Sequence, residues 1–349
     1  MAAISGINTS AMIKVATTFG TAVTAGAGNK LAAEITPSFN AEEIQARSIG
    51  SGASIPADIY RGAVKPTVSL AGDGGYRNNL DVLLACLLGT AAAPTEVTAS
   101  QGDYKHVITW NTTHPAKYLT FAFESTSTTV LEMPSCAVRS MTLNVDSVPG
   151  ILTYSAELLA NDVILTGTTN DNTEIDAATF TDTTLIAQEF SDLFRINVSS
   201  AGALSGSDNF SITSWTMTVA RPLDFIGEIK GSSGNGTPVE SGDPEITLSV
   251  TLKQLDDHTY YTAFNAGTQY KCSLDIQGAQ IGSGTNKTFK SLFPKVQLIK
   301  EPTYAVTETG VNTVTLDFRA LKASANPTGM SSTYPYFEIT NTLSTSLLA

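Results

Sequence analysis

The chain has 349 residues, a formal net charge of −12 and a pI near 4.7, yet only 15 % of its residues are charged. That balance excludes a protein that grips nucleic acid by its phosphates, which needs a basic surface. A hydrophobic content of 42 % excludes general disorder, and the length accommodates two ordinary domains.

In chain order, Met12 to Phe19 fits a strand or a short helix, and Thr21 to Lys30 a loop. Gly26 to Lys30 is not a phosphate loop, because Leu31 stands where a hydroxyl is needed. Gln45 to Val64 is a long glycine-punctuated stretch, too long for a tight hairpin turn; long loops of this kind are usually functional. Asn78 to Leu88 predicts a helix with Leu80, Leu83, Leu84, Leu87 and Leu88 on one face, Asn78 as its cap and Gly89 as its stop. Tyr104 to Trp110 and Tyr118 to Phe123 alternate like antiparallel strands.

Met133 to Ala160 reads as two strands around a glycine turn, with Met141, Leu143, Val145, Leu152, Tyr154, Ala156 and Leu158 on one buried face. Thr166 to Thr184 is expected to be a solvated acidic loop. Its Asp171, Glu174 and Asp176 offer oxygens to calcium but lack EF-hand spacing. Phe190 to Val198 and Phe210 to Val219 read as two strands joined by a Gly-Ser turn. Lys230 to Asp243 is rich in glycine and serine, hence flexible. Gln254 to Ala266 predicts a second helix with Asp256 and Asp257 in its first turn, an apolar face of Tyr260, Tyr261 and Phe264, and Gly267 at its end. Tyr334 to Leu343 predicts a last strand.

The chain repeats itself. Phe293 to Ala320 matches Met133 to Ala160 without a gap: Pro134 with Pro294, Gly150 with Gly310, Thr153 with Thr313 and Ala160 with Ala320 are all 160 positions apart (294 − 134). Pro66 matches Pro244 and Gly89 matches Gly267 at 178 (244 − 66, 267 − 89), and Pro37 matches Pro222 at 185 (222 − 37). The fixed order points to a tandem duplication with shorter loops in the second copy.

Chemistry is sparse. The three cysteines, Cys86, Cys136 and Cys272, are odd in number and form no CxxC pair, so they read as buried thiols. His106, His114 and His258 have no zinc spacing, and His106 and His114 are expected as two partly exposed strand histidines. No G-x-S-x-G motif occurs. The first twenty residues lack a signal peptide's basic start and apolar core, and no run approaches a membrane helix in length. A chain made and folded in a cytoplasm is expected.

A long loop between early strands, the strand Pro66-Thr-Val-Ser-Leu70, a leucine helix ending in Leu88-Gly89-Thr90, and the pair FRINVSSAGALSG and FSITSWTMTVARPLDF together resemble the tail tube (major tail) proteins of long-tailed bacteriophages. The likeness runs from Ile35 to Ala320. It implies a mainly β chain of two tandem tail-tube-like β-sandwich or half-barrel domains, residues 1–185 and 186–349, each with one flanking helix. Most such proteins carry one domain and stack as hexameric rings, so two domains imply a trimeric ring with pseudo-sixfold symmetry. Further implications are a flexible tail without a sheath, and a virion location after assembly in the host cytoplasm. The partners would be further copies of the chain, tail terminator, baseplate or tip, and tape-measure proteins, with viral DNA passing unbound through the lumen. No catalytic residue, cofactor, metal or membrane contact is implied.

The resemblance assigns inter-ring contacts to the two long loops, through Arg47, Ser48, Ile55, Pro56, Tyr60, Arg61, Lys230, Asn235, Pro238 and Glu240. Helix packing falls to the leucine face and to Tyr260, Tyr261 and Phe264. The rival expectation is a carbohydrate-binding or adhesin-like β-sandwich that uses Trp110 or Trp215 as a sugar platform. An enzyme on a β scaffold has no residue constellation behind it.

Overall fold

The computed structural model describes residues 10–46, 58–126, 129–226, 235–253, 258–305 and 312–349. Its principal strands, leaving aside seven further strands of two or three residues, are in chain order β1 (Ala11–Ala16), β2 (Glu34–Ser38), β3 (Ala41–Ala46), β4 (Asp58–Val64), β5 (Thr67–Asp73), β6 (Tyr104–Trp110), β7 (Tyr118–Thr126), β8 (Thr129–Val145) and β9 (Thr153–Ala160). They continue with β10 (Leu193–Val198), β11 (Ile212–Ala220), β12 (Glu245–Lys253), β13 (Gln269–Gln280), β14 (Asn286–Leu298), β15 (Thr303–Ala305), β16 (Thr313–Ala320) and β17 (Tyr336–Asn341). Three helices are interspersed: α1 (Leu80–Leu88), α2 (Asn172–Ala177) and α3 (Thr259–Ala266). The fold is mainly β and antiparallel, as the sequence predicts.

A continuous sheet runs β2–β5–β9–β8–β11–β12–β16–β15. The long strands β8 and β14 bend out of it. Their first halves pair instead in outer ladders, β1–β7–β8 and β10–β13–β14, and β17 joins β14 to β6. The core lies between the layers. Met141, Leu143, Val145, Leu152, Tyr154, Ala156 and Leu158 are all buried there, as their alternation requires.

Both halves share one register. Val138 lies opposite Leu158, and Leu298 opposite Phe318, each 160 positions on (298 − 138, 318 − 158). Between Leu119 and Phe121 of β7 the facing β8 carries one extra residue (Cys136 to Met133), and between Tyr270 and Cys272 of β13, 151 positions on (270 − 119, 272 − 121), the facing β14 does the same (Val296 to Phe293). For β5 the spacing corrects the sequence alignment. Leu70 faces Ala156 and Val250 faces Leu316, so β12 follows β5 by 180 (250 − 70) rather than 178. In the same way Ile35 faces Leu70 and Trp215 faces Val250, so β11 follows β2 by 180 (215 − 35) rather than 185.

Helix α1 is embedded rather than laid on a surface. All five leucines are buried, and so are Asp81, Ala85 and Cys86. Each fully buried leucine contributes about 1.5–3 kcal/mol. Gly89 ends the helix in the left-handed region and donates its N–H to the Ala85 carbonyl. Asn78 does not cap it: its side chain accepts from Gly75 N and donates to the Asp73 carbonyl, bracing the preceding turn. Helix α3 also ends at a left-handed glycine, Gly267. It buries less, since Tyr260 is buried, Phe264 half-buried and Tyr261 40 % exposed. Asp256 and Asp257 lie outside the described residues.

Other expectations need correction. The acidic stretch is not a plain loop, because Asp171 and Glu174 form a capping box that starts α2. Strands β10 and β11 do not form a hairpin; β10 pairs with β13, whereas β11 lies in the main sheet. Likewise β6 and β7 are strands of different ladders.

Candidate functional site

The main sheet has one face against the core and one against solvent. Because side chains alternate along a strand, β8, β11 and β12 send Met141, Met217 and Leu248 inward and Thr142, Thr218 and Thr247 outward. The outward face is a field of hydroxyls. Thr142 and Thr218 share a hydrogen bond at 3.1 Å across β8 and β11, and Thr251 and Thr315 share one at 3.4 Å across β12 and β16. Thr216 donates to Asn144 Oδ1 at 2.6 Å.

Among the described residues, three cations along this face pair with carboxylates. Arg139 pairs with Glu157 at 3.4 Å, Arg319 with Glu245 at 3.3 Å and Lys300 with Asp317 at 3.3 Å. Glu34 and Asp73 add exposed negative charge. Among the described residues this face carries no cluster of unpaired positive charge of the kind that binds a polyanion.

Among the described residues the two ends of the sheet have no further strand beside them. Among the described residues β2 has a ladder only with β5, and β15 only with β16. Glu34, Thr36, Ser38 and Phe39 are exposed at one end, and Ile299, Lys300, Glu301 and Thr303 at the other. Pro37 sits on the first edge and Pro302 beside the second, the placement that keeps edge strands from pairing at random.

The stretch expected as a long loop is, at both its ends, a strand. β3 and β4 form a two-stranded ribbon in which Ile44 faces Tyr60. This arm exposes Ile59 (61 %) and Tyr60 (57 %). Arg47, Ser48, Ile55, Pro56 and Lys230 lie outside the described residues, as does the side chain of Arg61. The other three predicted contact residues fold back on their own chain. Asn235 Nδ2 donates to the carbonyls of Val64 at 2.7 Å and Asn161 at 3.1 Å, steadying the base of the arm. Pro238 is buried, and Glu240 accepts from Arg221.

Sequence reasoning missed Arg221. It is 1 % exposed and binds the Glu240 carboxylate through Nε at 3.0 Å and Nη2 at 2.7 Å. Its Nη1 donates to the carbonyls of Leu87 and Leu88, which end α1, and desolvation lowers its pKa, partly offset by Glu240. A lone arginine directly after an apolar strand was the signal that could have found it.

The sugar-platform expectation fails on geometry. Trp215 is buried in the core and donates to Gln188. Trp110 is only half-buried, but the Arg221 guanidinium lies over its ring and Tyr334 stacks parallel to it. The histidines are buried, not partly exposed: His106 Nε2 meets the Leu343 carbonyl and His114 Nε2 the Val138 carbonyl, both at 3.0 Å. Burial lowers both pKa values, that of His114 to about 4 with help from Arg221. The three cysteines are free and buried, and burial pushes the Cys86 thiol up to about 12. Among the described residues no group of three potential ligands could hold a metal.

A search of curated proteins finds no match to this chain. A family model described as "Phage tail tube protein" matches residues 6–320.

Proposed function

The chain belongs to the phage tail tube protein family, and on that premise we propose that three copies close into a ring and that rings stack into the tube of a virion tail. The role is structural, not enzymatic. Residues 1–185 and 186–349 act as two tandem tube units. The observation that carries this reading is the division of the main sheet into two in-register sets of four strands, β2–β5–β9–β8 and β11–β12–β16–β15, with both outer edges open. A head-to-tail contact of this kind generates a ring when the rotation closes, and closure removes the open edges.

Three chains would bring roughly 24 strands into one barrel. At about 4.8 Å per strand the backbone circle is roughly 37 Å across, wider than barrels of about 16 to 18 strands that already hold an aqueous channel. The hydroxyl face would line the bore. Its paired cations and excess carboxylates suit a wall along which DNA slides without binding. The β3–β4 arm, with Ile59 and Tyr60 exposed, would reach the next ring from a base that Asn235 steadies. Terminator, tape-measure and tip proteins would cap and fill such a tube.

Negative-stain electron microscopy of the purified protein, with mass photometry beside it, tests the reading. Rings or hollow tubes whose masses are multiples of three chains are expected. A monomer that persists at every concentration and temperature overturns it.

A further inference from the structure

The chain already contains one seam between tube units, where β8 of the first meets β11 of the second. Its register pairs Met141 with Val219, Thr142 with Thr218 and Leu143 with Met217. Arg221 N donates to the Arg139 carbonyl at 2.8 Å. Hydrogen-bonded and non-bonded pairs alternate along an antiparallel ladder. The pairs 141/219 and 143/217 are therefore bonded, and 142/218 is a close non-bonded pair.

The strands at the open edges are the repeat counterparts of these two. β11 follows β2 by 180 (215 − 35). β15 follows the end of β8 by 161, because Thr142 faces Ser155 where Thr303 faces Thr315 (303 − 142), the segment between β14 and β15 carrying one extra residue. Burial agrees: the outward Thr303 matches the outward Thr142, and the buried Pro302 matches the buried Met141.

From this internal template, and resting on the ring reading, we infer that β15 of one copy pairs antiparallel with β2 of the next, setting Thr303 beside Ser38, Pro302 beside Phe39 and Tyr304 beside Pro37. In this register each proline occupies a bonded position that faces the seam, and each faces a residue that has an N–H. Phe39 donates to the Pro302 carbonyl and Tyr304 to the Pro37 carbonyl. Within these two pairs no seam-facing N–H is orphaned, but each pair makes one bond where the in-chain seam makes two. A slip of two residues that set proline against proline would leave that pair with no bond at all. The prolines thus select the register, weaken the joint between copies relative to the joint within a chain, and protect the free edges from other strands.

Cysteines test the register. A close non-bonded pair has the Cα spacing a disulfide needs, and Ser38 and Thr303 sit at opposite ends of one chain's sheet, so any link joins two copies. Tubes of the Ser38→Cys/Thr303→Cys variant should oxidise to covalent dimers and closed trimers on non-reducing gels. Tubes of the slipped pair, Thr36→Cys/Thr303→Cys, should remain monomeric. Tubes that image normally but link through the slipped pair, or through neither, overturn the register. Wild-type protein that forms no ring overturns the ring reading itself. As a second measure, Pro37→Ala restores an N–H at the seam and should lower the concentration needed for assembly about fivefold, the worth of one hydrogen bond. An unchanged or higher threshold overturns the role given to the proline.

Discussion

The guanidinium of Arg221 lies 4.2 Å from the ring centroid of Trp110, and its Nη1 donates to the Leu87 and Leu88 carbonyls, so that the second half of the chain holds the end of α1 in the first. The charge sits where the helix dipole is negative and the last carbonyls lack partners within the helix. The repeat counterpart of Arg221 is Ala41 (221 − 180). The pin therefore belongs to the in-chain seam alone. Arg221→Ala should cost about 1.5–3 kcal/mol, because it takes the charged donor from the carbonyls that end α1, whereas the exposed Glu240 stays solvated. Arg221→Lys should recover only part of this, lacking the planar fork. Denaturant midpoints of the two variants decide; equal stability for all three proteins would sink the role.

The two helix-ending glycines should not tolerate alanine equally. Both have positive φ, +92° at Gly89 and +64° at Gly267, and a side chain there costs about 1–2 kcal/mol. At Gly89 a Cβ would also stand 2.9 Å from the Asn111 Cβ, whereas at Gly267 the nearest atom, Gln297 Nε2, is 3.5 Å away. Thermal melts should place Gly89→Ala below Gly267→Ala, and both below the native chain.

Asp81 makes stability depend on pH. Burial raises its carboxyl to about 6, against the opposing hydrogen bond from Val82 N and the charge of Arg77. The folded chain thus holds the proton more tightly than the unfolded one. The stabilisation is complete below about pH 4 and is lost as pH rises through about 6. A shift of roughly two pKa units is worth about 3 kcal/mol. Urea midpoints of native chain and Asp81→Asn, compared from pH 4 to 7, should diverge in the variant's favour as pH rises. A constant difference would count against the assignment.

The arm should matter to stacking, not to ring closure. Replacing two exposed apolar residues of the arm, as Ile59→Ser with Tyr60→Ser, should leave rings intact but shorten tubes several-fold in micrographs. Tubes of native length would show that stacking rests elsewhere.

A bore lined with hydroxyls should become adhesive once it carries unpaired cations. Thr218 and Thr247 are cross-strand neighbours on the outward face. Thr218→Lys/Thr247→Lys tubes should retain a short DNA duplex at low salt and release it as salt rises. Native tubes should retain none at either salt. Equal retention by both would place this face outside the lumen.

Much of the fold was legible along the chain. The period-two alternation from Met141 to Leu158 marked a buried face, because side-chain direction is set within a few residues. The leucine spacing and Gly89 marked α1 for the same reason. Local signals misled where a residue had two uses: Asn78 braces a turn instead of capping a helix, and Trp215 fills the core instead of facing a ligand. Of the candidate site, the alternation that makes the hydroxyl face was readable, but its open edges and the Arg221 pin were not.

The sequence by itself determined that the chain is acidic, mainly β and internally repeated, since composition, alternation and turn residues are local properties. Only the tertiary structure decided which strands meet. Pro66 and Pro244 align at 178 (244 − 66), yet the ladders set β5 and β12 at 180 (250 − 70). A shift of two residues leaves every side chain on the same face, so the hydrophobic pattern cannot distinguish the two alignments. The distinction comes from ladders whose paired residues lie 60 or more positions apart, and those form only once the sheet is assembled around its core.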